Sequence, residues 1–167
     1  MPLPKITVPT YTCKLPGTNK QIDFRPFLVK EEKILLLAIQ QATEIKDIKE
    51  GQSYLIKAFK QVLEQCVLTE KFIIDDLPVF DLEYLFIKIR AKSVGEKCKP
   101  IYTCSCGTTV EVEIDLNDIK VVKPKKNNMT IDLGGGVGLK MKYPKANIME
   151  KLVFDGNQVE QIFSVYG

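Results

Sequence analysis

The chain has 167 residues, 45% apolar and 27% charged, with a formal charge of +3; that suffices for one domain with a real core and gives little pull toward nucleic acid or an anionic membrane. Histidine and tryptophan are both absent, which removes the commonest general base, the Ser-His-Asp and Cys-His nucleophile systems and every mixed Cys/His metal site. No apolar run approaches the roughly 18–20 residues that span a bilayer, and the proline-bearing N-terminus lacks the apolar stretch of a signal peptide, so the expectation is synthesis in a cytosol and retention there until assembly.

In chain order, residues 5–13 alternate apolar and polar and are interrupted by Pro9, which predicts an edge strand or an extended arm, since proline cannot donate to a sheet ladder. Leu15-Pro16-Gly17-Thr18-Asn19 is turn chemistry, and residues 21–24 complete a hairpin. From Val29 the period becomes helical, with Lys30, Glu31, Glu32 and Lys33 as a charged first turn and Ile34, Leu35, Leu37, Ala38 and Gln41 along the helix. A second helix is predicted over 52–67, with Gly51 before it, Ser53 as its cap, and Tyr54, Leu55, Ala58, Phe59, Val62, Leu63 and Cys66 as one apolar face. A third is predicted to start at Pro78, with Asp75 and Asp76 favouring its N-terminal end, and to run to about Ser93 with Leu82, Leu85, Phe86 and Ile89 as its stripe. Beyond Gly95 the pattern is β. Residues 99–104 and 108–115 form a hairpin around Cys104-Ser105-Cys106-Gly107, residues 129–133 and 138–142 form a second pair around a glycine run, and 146–154 form a short final helix.

The constellations with chemical potential each have a bland counterpart. Cys98, Cys104 and Cys106 lie on and beside one hairpin, as zinc-knuckle ligands do, but four thiolates are needed and the fourth has to come from Cys13, because Cys66 sits on an apolar helix face. A metal-free hairpin with reduced thiols is the expectation, with no disulfide framework for an odd count of five cysteines. The run Gly134-Gly135-Gly136-Val137-Gly138 has a strand on each side and lacks the Gly-Lys-Ser/Thr end of a phosphate loop, so it reads as a hairpin tip. The basic cluster at 123–126 has no interleaved aromatic residues and reads as a solvated connector. Asp75, Asp76, Asp81 and Glu83 read as helix-start carboxylates rather than a catalytic pair.

Three stretches carry a resemblance. Residues 4–11 lead into a turn and then into 24–38, FRPFLVKEEKILLLA; residues 90–96, RAKSVGE, precede a Tyr102-x-Cys104 hairpin; residues 138–144, GLKMKYP, follow later. In this order they resemble the baseplate hub protein family of T-even-like contractile-tailed bacteriophages. The resemblance implies a virion protein of the tail baseplate, in or near the central hub, or a factor needed to assemble that hub. It carries across no catalytic residue. The chain departs from its relatives in its C-x-C spacing, where theirs is often C-x₂-C, which puts an inherited metal site in doubt, and in its shorter C-terminus.

The expected class is α+β: an N-terminal strand arm, a three-helix layer and a C-terminal β-hairpin-rich portion, divided as 1–95 and 96–167 within one compact unit. The expected function is structural, exercised by docking to other baseplate and hub proteins in a multi-copy assembly, with no catalytic, cofactor-binding or metal residue, no small-molecule substrate and no membrane span. An assembly factor that leaves the particle and a small zinc-hairpin module that binds nucleic acid are the alternatives. A histidine-free hydrolase is disfavoured because no carboxylate pair stands out.

Overall fold

A computed structural model describes residues 8–122 and 129–149. Its order is a hairpin, β1 (Tyr11–Lys14) and β2 (Gln21–Phe24); three helices, α1 (Val29–Glu44), α2 (Ile48–Cys66) and α3 (Val79–Ser93); and then six short strands. These are β3 (Lys97–Cys98), β4 (Ile101–Thr103), β5 (Thr109–Glu111), β6 (Ile114–Asp115), β7 (Thr130–Gly134) and β8 (Val137–Lys140), with 3₁₀ turns at Ile74–Asp76 and Ala146–Ile148. The class is α+β, as the periodicities indicate.

The core joins elements far apart in sequence. Leu15, Ile22 and Phe24 from the first hairpin meet Val62, Leu63 and Cys66 of α2, Ile74 and Leu77 of the first 3₁₀ turn, and Leu82, Leu85 and Ile89 of α3. Cys66 is a core residue, as its place on the apolar stripe predicts. Ala146, fully buried, brings the last described segment into the same core, where its N–H donates to Leu77 O at 2.8 Å and the Val79 N–H donates to Pro144 O at 3.0 Å.

Several local expectations are corrected. The first strand is shorter than 5–13 and starts at Tyr11; residues 1–7 lie outside the described ones. The second helix begins at Ile48, and its cap is Asp47, which accepts from the Lys49 N–H at 2.8 Å, so Ser53 is interior. Gly51 is therefore a helical residue rather than a break before the helix. A Cβ there would stand 3.0 Å from the Ala42 carbonyl oxygen, so glycine is what lets α1 and α2 approach closely. Pro78 is the cap of α3 rather than its first residue. Asp75 and Asp76 belong to the preceding 3₁₀ turn, where they pair with Lys60 and Lys145. Of the final helix expected over 146–154, the described part is a 3₁₀ turn, and the remainder lies outside the described residues.

Two carboxylates read as charges at helix starts are buried anchors. Asp81 accepts the Gly17 N–H at 2.6 Å and the Thr18 N–H at 2.9 Å, fastening the β1–β2 turn to the start of α3. Glu31, expected in the charged first turn of α1, is also fully buried. It accepts from Arg25 Nη2 at 2.8 Å and from the Leu28 N–H at 2.8 Å, locking the entry to α1. Burial pushes its pKa up, but the Arg25 hydrogen bond, the Leu28 N–H and Lys30 together outweigh burial and hold the carboxyl at about 2. Because the folded value is depressed, this stabilisation is full above the ordinary value of 4.5 and is lost as pH falls toward about 2. Glu31→Gln is expected to cost roughly 2–3 kcal/mol at neutral pH. The gap to the native chain should narrow steadily below pH 4.5, read from urea midpoints across that range; a gap independent of pH contradicts the assignment.

Candidate interaction surfaces

The C-terminal strands build two ribbons rather than a layered sheet. In the first, Lys97 pairs with Asp115, Cys98 with Ile114, Ile101 with Glu111, Tyr102 with Val110 and Thr103 with Thr109. The register is constant, so β3–β6 and β4–β5 are one antiparallel ribbon. Pro100, which has no N–H to donate, breaks its ladder, leaving Val112 N–H to Pro100 O at 3.1 Å as the bond between the two halves. The expected hairpin is present and extends further toward α3, closing at Leu116 N–H to Glu96 O, 2.7 Å.

Constant register sorts the side chains by face. One face carries Lys97, Lys99, Glu111 and Glu113, crossed by the Lys97–Glu113 and Lys99–Glu111 ion pairs. The other carries Cys98, Pro100, Tyr102, Val110, Val112 and Ile114. Strict alternation over 109–114 predicts such a division and also predicts that the apolar side is covered. It is not: every residue from 101 to 113 is exposed, with Tyr102 at 56% and Val110 at 52%.

The second ribbon repeats the arrangement. Ile131 faces Leu139 across β7–β8, and Met141 donates its N–H to Met129 O at 2.6 Å, which puts Met129, Ile131, Leu139 and Met141 on one face. Ile131, Leu133 and Leu139 are 45–59% exposed. The glycine run is the tip that the sequence indicates, with Gly134, Gly135 and Gly136 all at positive φ, a conformation that side-chain-bearing residues rarely adopt. On α1, Leu36, Leu37 and Ile39 are likewise exposed, so Leu37, expected on the inner stripe, is corrected to the surface; Ala38 is the buried residue there. The basic cluster at 123–126 lies outside the described residues.

The thiols are dispersed by this geometry. Cys98 and Cys104 lie on one face but six positions apart, roughly 20 Å along an extended strand. Cys104 and Cys106 occupy the exposed tip, Cys13 is in β1 and Cys66 is in the core. Among the described residues, no group of three or more Cys, Asp or Glu side chains is placed to hold a metal ion. Of the four carboxylates near α3, Asp75, Asp76 and Asp81 each have a separate partner.

At the tip, hydrogen bonding with Thr108, whose hydroxyl lies 3.3 Å from the sulfur, and with Cys104 pulls the Cys106 thiol down to about 7. Burial pushes Cys66 up to about 11. Iodoacetamide labelling followed by mass spectrometry should therefore show Cys106 reacting with a midpoint near pH 7, Thr108→Val moving that midpoint upward, and Cys66 silent until the chain unfolds. A midpoint near the ordinary value of 9.0 for Cys106 would contradict the tip geometry.

Among the described residues no helix is long and apolar enough to cross a membrane. Comparisons with curated proteins and with solved structures give no match. A family model described as T4 bacteriophage base plate protein matches residues 8–166, and so spans the core, both ribbons and the segments between them. A fold whose most distinctive surfaces are uncovered apolar ribbons thus has its counterpart among virion building blocks: the chain belongs to the T4 bacteriophage base plate protein family and has a structural role in the phage tail baseplate.

Proposed function

We propose that the chain is a baseplate hub component that acts by docking its two β-ribbons against neighbouring subunits during tail assembly, in the host cytoplasm, and that it stays in the particle through infection. The observation that carries this reading is the first ribbon, an amphipathic two-stranded element whose apolar side is exposed along its whole outer part. Isolated two-stranded ribbons are marginal in water, and full burial of a Val or Ile is worth about 1.5–3 kcal/mol. Covering Tyr102, Val110, Val112 and Ile114 therefore gives a neighbour several kcal/mol and orders the ribbon at the same time. Such a role needs surfaces rather than a reactive pocket, and no catalytic residue is assigned.

The same reading treats 1–95 and 96–167 as one unit. Its support is that Leu116 and Ala146, both from the second part, are buried, with Ala146 in the core built by the helices.

Tyr102 and Val110 are exposed in the free chain, so Tyr102→Glu with Val110→Glu should change its stability by less than about 1 kcal/mol. In a phage lacking the native gene, the double variant should fail to enter baseplates and give few infectious particles. Thr103→Glu, on the opposite face, should complement normally. Normal incorporation of the folded double variant would overturn the reading.

A further inference from the structure

The outer edge of β8 is unpaired among the described residues, where β8 pairs with β7 alone. The Met129–Met141 hydrogen bond sets the phase of the ladder, so Met141 and Leu139 turn their backbone groups toward β7, while Gly138 and Lys140 turn theirs away from it. Those outward N–H and C=O groups are a template for another strand.

A cleft of about 520 Å³ lies at the C-terminal end of that strand. It takes its lining from β8 and the chain that follows, with Leu139, Met141, Tyr143, Pro144 and Ile148 as the apolar part and nothing from β7. Lys140, Lys142 and Lys145 also line it, and among the described residues no acidic side chain does. Lys145 is paired with Asp76 at 2.8 Å, whereas Lys140 and Lys142 are exposed and make no ion pair among the described residues. The edge thus offers backbone hydrogen bonds, apolar contacts and two uncompensated positive charges at alternating positions.

We infer that β8 receives an extended segment of another baseplate protein in which apolar residues alternate with acidic ones. The added strand completes a three-stranded sheet, sets its apolar residues against the Leu139 and Met141 face, and presents its carboxylates to Lys140 and Lys142. Charge complementarity selects this occupant over a second copy of the chain, because the face a copy would bring to the same edge carries the same lysines. The inference rests on the docking reading above and specifies the chemistry of one partner.

The test uses the full-length chain and a fluorescein-labelled peptide of alternating Val and Glu, followed by fluorescence anisotropy. Saturable binding is expected, weakened at least about tenfold by Lys140→Glu with Lys142→Glu and by raising salt from about 50 to about 500 mM. The double variant, checked for fold by circular dichroism, should instead prefer the Val/Lys peptide. N-methylation of alternate residues along one edge of the Val/Glu peptide should abolish binding if backbone pairing holds it. Equal affinity of the native chain for Val/Glu and Val/Lys peptides, or binding that survives N-methylation, overturns the proposal. So does a chain that binds anionic phosphatidylglycerol vesicles or self-associates by sedimentation while ignoring the Val/Glu peptide. These failures leave ribbon docking intact, because the first-ribbon variants test that independently.

Discussion

A two-stranded ribbon has two faces and no interior. Alternation along its strands sends apolar side chains to one of those faces, and only a third strand, a helix or another molecule can take that face out of water. In this chain the constraint applies twice, at Tyr102 with Val110 and at Ile131 with Leu139. The helices and the first hairpin already form a closed core with each other, so the ribbons are additions to a body that does not use their apolar sides.

That body is fixed by long-range polar ties as much as by apolar contact. Asp81 fastens the β1–β2 turn, and Glu31 with Arg25 fastens the start of α1. Each is a buried carboxylate with its charge satisfied, an arrangement costly to break because the unpaired remainder stays buried. The first ribbon springs from the end of α3, where Lys88 reaches toward the Leu116 carbonyl and Leu116 is buried at the ribbon base. The second returns through Pro144 and Ala146 to the start of α3. Both ribbons are thereby rooted at one helix while their outer parts stay free.

Much of the fold was legible in the residues. The three helices, the hairpin around Cys104–Cys106 and the glycine tip follow from period and turn chemistry, which are local properties. What escaped was non-local. Gly51 looks like a helix boundary because its value lies in the approach of Ala42 from another helix. Glu31 and Asp81 look like solvated charges because their partners, Arg25 and the Gly17–Thr18 turn, meet them only in the folded chain. The candidate surfaces were half legible: alternation over 109–114 reveals an apolar side, but whether that side faces a core or open water depends on how many strands join the sheet. Likewise the cysteines look clustered in sequence, and extended backbone then separates Cys98 from the tip.

Both apolar ribbon faces are open in the free chain, and the proposed docking requires that they be covered in the particle. Hydroxyl-radical footprinting read by mass spectrometry, on the purified protein and on intact baseplates, tests it most directly. Rapid oxidation of Tyr102 and Met141 is expected in the free chain, with strong protection of both in the baseplate. Equal oxidation of the two residues in both states, with protection confined to other surfaces, would contradict it.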